Sequence, residues 1–413
     1  MPTRTQQTYD VIVVGAGTAG AATAYHCASH GMSVLCLDRR PLGKAGARWV
    51  NGVHADAFDL AGIPRPVAPE KLAEGVDFHL IAGFGPEKVV IRDHELMEVD
   101  MRELVARLQT MAADAGAVFA DQTSVRHFDG AALRTDEETL HAEYFVDASG
   151  LNGAQLLDGE PVESGDICAA AQQVRSVSDR AGARAFCERF GAAPGETICL
   201  TGIAGGYSIL NVRVDDDHVG ILTGSIPASG HRSGRSILND FVAEHDWVGE
   251  RLFGGSRAIP LAAPRAELGR GNTAVVGDAA NQVFAAHGSG IGAGMIAGRY
   301  LADALAEGRG TEGYSTAWHR DFGGLFRAYD IFRRFSEGLD MHRLARLMKA
   351  GLMDAEMSRA GLEQRMPRLT PAALTKKVVG AIREPVVALE MAPIVVEMLL
   401  EMYAPQLARA GSA

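Results

Sequence analysis

The chain has little of what a nucleic-acid binder, a disulfide-stapled domain or a membrane span requires. Positive charge is short: 40 Lys and Arg stand against 51 Asp and Glu, a formal net charge of −11 over 413 residues. That balance excludes a nucleic-acid partner and electrostatic attachment to an anionic membrane. Cysteine is sparse, with five residues at 27, 36, 168, 187 and 199 and no Cys-x-x-Cys pair. Neither a zinc site nor an iron–sulfur cluster follows from that spacing, so no metal is expected. No clean run of about 18 apolar residues occurs. The nearest, 385–405, is interrupted by Glu390, Pro393, Glu397 and Glu401, so no spanning helix is expected and only peripheral membrane contact stays open. Residues 1–7 hold no hydrophobic region, so no signal peptide is expected. Together with the odd cysteine count this points to a reducing, cytoplasmic setting. The 47% apolar content and the length imply a globular chain of two or three lobes.

Against these absences stand two glycine-rich turns. The first follows Tyr9-Asp10-Val11-Ile12-Val13-Val14, a run of β-formers that breaks into Gly15-Ala16-Gly17-Thr18-Ala19-Gly20 and continues as an alanine-rich helix over 21–28. This is a buried strand, a tight turn and a helix N-terminus, where free N–H groups and the helix dipole favour phosphate. Gly15 permits the turn, Gly17 lets a pyrophosphate approach, and Gly20 lets helix and strand pack closely. A second apolar strand, 32–37, closes on Asp38, 18 residues past Gly20, where a ribose-binding carboxylate is expected. Strand, helix, strand and terminal acid together predict a dinucleotide site. The basic loop that follows, Arg39 to Arg48, leaves the carboxyl end of the second strand and should pass near the cofactor.

Further along, 76–95 alternates short apolar runs with turns and reads as strands of a second sheet. Asp100 and Glu103 are spaced as a capping box that opens a helix ending near Gly116. Arg102 in its first turn is an unfavourable cation that a phosphate would compensate. Strands are expected over 118–128 and 139–146, the latter closing on Asp147-Ala148-Ser149-Gly150, and again through 165–260, with a helix over 179–191. The second glycine-rich turn follows a buried strand, Thr273 to Val276: Gly277-Asp278-Ala279-Ala280, then His287-Gly288-Ser289-Gly290-Ile291-Gly292 and a helix to about 306. A second anionic group is expected there. Beyond 311 the pattern is helical. Phe322, Phe326 and Tyr329 form one core stripe, and Thr370-Pro371 starts a helix. Eight of the fourteen methionines lie between Met341 and Met402, as suits a lid over an apolar substrate, ordinary helix packing or a dimer interface.

Three blocks give the chain its likeness. Gly15 to Gly20 with Asp38, then 145–150 (Phe-Val-Asp-Ala-Ser-Gly), then 277–280 with 288–291, resemble the p-hydroxybenzoate hydroxylase-type FAD-dependent oxidoreductases, especially their geranylgeranyl reductase-like branch. Gly205-Gly206-Tyr207 is similar to a stretch of the reductases' substrate domain, and 46–52 resembles a loop of electron-transfer-flavoprotein:quinone oxidoreductase relatives. The resemblance implies an α/β fold. A discontinuous Rossmann-like FAD-binding domain (1–75, 97–160 and 265–310) carries an inserted antiparallel β-sheet substrate domain (76–96 and 161–264) and a C-terminal helical region (311–413). It further implies that Gly15, Gly17, Thr18, Ala19 and Gly20 cradle the FAD pyrophosphate. Asp38 would bind the adenosine ribose, with Arg39, Arg48 and Val125 also among the FAD contacts. Arg102 would face FAD, Gly277 and Asp278 would meet the ribityl and pyrophosphate region, and Gly290, Ile291 and Gly292 would lie beside the pyrimidine edge of the flavin. The reductases often carry Pro-x-x-Gly-Glu-Gly-Ile where this chain has 285–291, Ala-Ala-His-Gly-Ser-Gly-Ile. The Trp-x-Trp-x-Ile-Pro motif of tryptophan halogenases is absent.

The expected chemistry is therefore hydride exchange at flavin N5 with a hydrophobic, isoprenoid- or quinone-like or secondary-metabolite substrate, reducing or desaturating it. His287, in the turn facing the flavin, is the candidate acid or base, and Tyr207 a candidate hydrogen-bond donor in the substrate cavity. Monooxygenation or halogenation through a C4a-hydroperoxide is the alternative, and a non-catalytic electron carrier the third reading. The Gly-x-Gly-x-x-Gly spacing recurs only at 308–313, after a helix and with no strand before it, so no separate NAD(P)H domain is expected, and NAD(P)H at the same face or a redox partner protein would supply electrons. A homodimer or a reductase partner is compatible with the chain.

Overall fold

A strand with no apolar alternation must be covered on both faces, and Thr8–Val14 has that environment: its last four residues are buried. In the computed structural model, which describes residues 8–368 and 370–410, it lies between two parallel neighbours. Val34–Leu37 pairs on one side, Val11 opposite Val34, and Thr139–Asp147 on the other, Val14 opposite Asp147. Val118–Ala120 and Thr273–Val275 extend the sheet outward, also in parallel. Short antiparallel pieces at 127–128, 132–134 and 269–270 finish an eight-stranded sheet. The strand expected over 118–128 is thus two short ones. The chain between them turns back, the Gln122 and Thr123 N–H groups donating to the Arg40 and Asp38 carbonyls.

Helix Thr18–Ser29 covers one face and packs on Met101–Asp114 and Ile291–Ala306. The approach is close enough to exclude side chains. A Cβ on Gly20 would sit 1.7 Å from the Gly15 carbonyl oxygen, and one on Gly298 only 2.8 Å from the Thr23 nitrogen. Asp100 caps Met101–Asp114, its carboxylate accepting the Arg102 N–H at 2.9 Å and also meeting the Glu103 N–H, the position that the sequence marked.

A second sheet of seven strands takes the order 248–260, 167–177, 218–225, 208–214, 197–201, 78–82 and 88–91. All pairs are antiparallel except 197–201 with 78–82. Every one of these strands comes from 76–96 or 161–264. The strand Ser208–Val214 alternates strictly. Leu210, Val212 and Val214 are buried beneath the helices Arg180–Arg189 and Gly234–Glu244, around Phe186, Phe241 and Trp247. Ile209, Asn211 and Arg213 face the other way. A small antiparallel sheet of Val50–His54, Leu96–Asp100 and Lys71–Glu74 bridges the two large ones. The sequence did not suggest it, because Lys-Leu-Ala-Glu carries no β signature.

From 310 on the chain is helical, as its pattern indicated, with Phe326 and Tyr329 in the main core and Phe322 packed against it. The helix Gly324–Glu337 is fixed by Arg333, 1% exposed, which pairs with Asp330 on its own helix, Asp166 on the approach to the seven-stranded sheet, and Glu337. Helix Pro385–Ala410 packs along it. Among the described residues no helix is long and apolar enough to cross a membrane. The leader expectation for residues 1–7 lies outside the described residues.

Gly298→Val should separate the helices 18–29 and 291–306 and destabilise the fold by about 1–3 kcal/mol, the usual overpacking cost. Chemical denaturation reads this directly, and an unchanged midpoint would contradict the close helix contact.

Candidate active site

The parallel strands 8–14, 34–37, 139–147 and 273–275 end at one edge, where open α/β sheets place their ligands. Two helices begin there. Thr18–Ser29 starts at Gly17 and Ile291–Ala306 at Gly290, and in both the first N–H groups lack a side-chain cap and the first turn lacks an acid. Both N-termini open on the same cleft, lined by Gly17, Thr18, Ala19, Gly290 and Ile291 together with Gly277 and Asp278. Two positive helix ends converging on one space form a ready anion site. Gly15, at φ +109°, makes the turn that a side chain would block against the Ala148 carbonyl.

The remaining sequence-derived residues are distributed around this cleft. Asp38 is buried, and its two oxygens accept the Ala16 N–H at 3.0 Å and the Arg40 N–H at 2.8 Å, so it holds the phosphate-facing turn in shape. Arg39 and Arg48 are exposed, Arg48 donating to the Gly43 carbonyl. Val125 packs against the apolar layer of Ile12, Val14 and Leu37. Gly292 lies against Ala57. Arg102 lines a separate wall: Asp100 holds its guanidinium, which stacks 3.7 Å from the Phe253 ring centroid. The compensating anion that the sequence called for is thus a carboxylate of this chain. Burial alone would raise the Asp100 carboxyl, but the Arg102 hydrogen bonds keep it below the usual carboxylate range.

Two cleft residues were missed. Trp49 lines the cleft with a buried indole N–H that has no partner among the described residues. Arg257 reaches Asp278 at 3.2 Å. Trp49 lay within the 46–52 loop that the resemblance marked; Arg257 sits in an irregular strand with no motif of its own.

The cleft runs into a cavity of about 1430 Å³. Asn51, Tyr207, Ile209, Leu222, His287 and Ser289 line both spaces. Its roof is the open face of the seven-stranded sheet, its floor the small sheet, and its side the C-terminal helices. Five of the methionines noted in the sequence, at 353, 357, 366, 391 and 398, are in that wall. Roof and floor are tied by Gln172, whose side-chain amide makes two 2.7 Å bonds with the Val50 backbone.

His287 and Tyr207 stand at the junction. The His287 Nε2 is shut off from solvent without a partner among the described residues, and burial lowers its pKa to about 4. The imidazole is therefore neutral at physiological pH. Burial pushes the Tyr207 hydroxyl well above its ordinary value, so it keeps its proton; a Cβ on Gly288, in the opposing turn, would lie 3.6 Å from that oxygen.

The depressed histidine has a consequence for stability. His287, and His26 whose pKa burial also lowers to about 4, are neutral when folded and protonate near pH 6.5 when unfolded. The unfolded chain then binds more protons between about pH 6.5 and 4, so stability falls as pH drops through that window. Thermal melts of His287→Gln should show a shallower loss than the parent; identical slopes would mean that His287 is not desolvated.

Comparison with known proteins agrees with this arrangement. Residues 10–63 match the family described as FAD dependent oxidoreductase. A digeranylgeranylglycerophospholipid reductase of Methanothermobacter thermautotrophicus is 26% identical over 380 residues, covering 83% of this chain and 91% of the relative. The corresponding reductase of Sulfolobus acidocaldarius is 24% identical over 91% of this chain and 88% of its own length. Among solved structures, a geranylgeranyl bacteriochlorophyll reductase-like protein from Thermoplasma acidophilum superposes with a TM-score of 0.70 at 17% identity, covering 94% of this chain and all of that one. The flavin-dependent brominase Bmp2 follows the same fold with a TM-score of 0.62 at 16% identity over 92% of this chain and 99% of its own. The chain is an FAD-dependent oxidoreductase that resembles the geranylgeranyl reductase-like flavoenzymes.

Proposed function

We propose that this enzyme reduces carbon–carbon double bonds of a long, hydrophobic, isoprenoid substrate at an FAD held where the two helix N-termini converge. The observation that carries this reading is the continuity of the cleft with a large, mainly apolar cavity at Tyr207 and His287. The relatives' names, which specify reductases of digeranylgeranylglycerophospholipids, support it.

The residues present fit FAD. Two uncapped helix N-termini suit anionic groups, and Trp49 and His287, each with a buried ring nitrogen that has no partner among the described residues, line the same space. Gly17, Thr18 and Ala19 would hold the pyrophosphate, with Asp38 bracing the turn from behind through Ala16. Gly277 and Asp278, the latter oriented by Arg257, would meet the ribityl chain, and Gly290 and Ile291 the pyrimidine edge. Bound FAD would supply the hydride at N5. The first turn of Ile291–Ala306 stabilises negative charge placed before it. Tyr207 presents a hydroxyl proton to the junction, and neutral His287 offers Nε2 as acceptor or donor according to tautomer. The apolar walls exclude water from the reacting carbon. NAD(P)H at this face or a redox partner protein is the proposed source of electrons.

Gly17→Trp should purify without flavin absorbance, because the side chain fills the space beside Gly46; a fully yellow variant would refute the cradle. Tyr207→Phe should keep its flavin and slow double-bond reduction by about 10²-fold, the usual scale for a general acid. The deciding experiment mixes the reduced enzyme anaerobically with a geranylgeranyl lipid and follows flavin reoxidation together with product mass. Hydrogen uptake by the lipid is the expected result. A reduced flavin inert to isoprenoids yet rapidly oxidised by oxygen in the presence of an aromatic acceptor would overturn the reading.

A further inference from the structure

Two helices near the end of the chain keep an apolar face on the outside. Helix Pro371–Arg383 joins Pro385–Ala410 through the single residue Glu384, and the two pack together. Val379, Ile382, Val386, Leu389, Val396 and Leu400 are 41–75% exposed, and none of them belongs to the cavity wall. Val386, Leu389, Pro393, Val396 and Leu400 recur at helical spacing and so form one stripe. Up to Tyr403 the charges of this helix are Glu390, Glu397 and Glu401, at i, i+7 and i+11, which confines them to one narrow sector. Arg343 and Arg327 hold Glu390 and Glu401. A helix that is apolar on nearly every side belongs in a protein core or in hydrocarbon. The outer side of this one is covered by nothing among the described residues.

That face is continuous with the cavity. Leu374, Val378, Val395 and Leu399 line the cavity, and Val395 stands beside Val396 and Leu399 beside Leu400, with no polar side chain between them. A second copy of the chain seated here would cover this apolar path and bar a substrate from it. A protein partner would also need hydrogen-bonding groups, which specific interfaces carry at about one bond per 100–200 Å². From Val386 to Leu400 the stripe offers no such group. Hydrocarbon requires none. The margins suit a bilayer surface as well. Lys376 and Arg383, seven residues apart on one edge of their helix, are exposed with no ion pair among the described residues, and Tyr403 is exposed at the far end. Long cations and tyrosines take such positions where apolar surface meets lipid headgroups.

Resting on the isoprenoid reading above for its choice of partner, we propose that the outer face of helices Pro371–Arg383 and Pro385–Ala410 docks on a lipid bilayer. The stripe from Val386 to Leu400 lies in the acyl region, and an isoprenoid lipid passes along Leu399 and Val395 into the cavity without crossing water. Attachment rests on apolar burial rather than on charge, in keeping with the net charge of −11.

The test floats the flavin-loaded, full-length protein with vesicles of phosphatidylcholine alone, at low salt and at about 1 M NaCl. The protein should rise with the vesicles equally at both, since salt screens charge and not apolar burial. Leu389→Glu combined with Leu400→Glu should weaken binding by more than about tenfold. Val118→Glu, on the edge strand of the eight-stranded sheet, should leave it unchanged. The double variant should reduce a detergent-dispersed geranylgeranyl lipid at the parent's rate and lose rate only on lipid presented in vesicles. A parent that stays in the aqueous layer, or that salt releases, overturns the bilayer face. So does a parent that is a dimer in solution and becomes monomeric in the double variant. Flotation uses no isoprenoid, so a protein that floats yet reduces no isoprenoid in detergent refutes the isoprenoid reading and leaves the bilayer face standing. Should the double variant fail to fold, flotation of the parent at the two salt levels decides by itself.

Discussion

The organising constraint is a contact between backbones. Helices Thr18–Ser29 and Ile291–Ala306 approach so closely that a Cβ at Gly298 would collide with the Thr23 backbone and one at Gly294 would press on Ala19 at 3.0 Å. These segments lie about two thirds of the chain apart, yet their contact sets the position of both helix N-termini. If the helices stood at ordinary separation, their two positive ends would face different regions of surface, each a weak anion site. Held together, they act on one ligand from two sides. The eight-stranded sheet supplies the platform beneath them, and the cleft follows from that geometry.

The second lobe answers a different requirement. A catalytic cleft at a sheet edge is open to water, and a hydrophobic reactant needs an enclosed approach. The seven-stranded sheet provides it by having two unlike faces. One is closed by helices around Phe186, Phe241 and Trp247, and the other is left to the cavity. Methionine-bearing helices close the side, their flexible thioethers accommodating chains of differing shape. Tyr207 and His287 stand at the cavity's junction with the cleft, and the ion pairs of Arg102 and Arg213 line it elsewhere.

The parts legible in sequence were those whose physics is local. The turn at Gly15 and the close packing at Gly20 could be read because glycine spacing reports backbone geometry directly, and Gly277 to Gly292 repeated that signal. His287 and Tyr207 were named from motif position, and the structure brings them to one junction. What escaped depended on partners distant in sequence. Arg102 is the exception: the anion it needed is Asp100, two residues away at the end of the small sheet, where the helix carrying Arg102 begins and the pair meets the cavity. That sheet had no signature of its own, so its role as cavity floor was invisible.

Arg333 gives the cavity a mechanical character. Its charge is matched by carboxylates on its own helix and on the segment leading into the seven-stranded sheet, so sliding one past the other would strand an ion away from water. That edge is a spine. Helix Pro385–Ala410, whose Met391 and Met398 meet the cavity, packs along the Arg333 helix and is tied to it by Arg327 and Glu401 at 2.7 Å. The helical side of the cavity is therefore bound to the sheet as leaves are to a spine, and that fixed margin sets the depth of the space in front of the cleft.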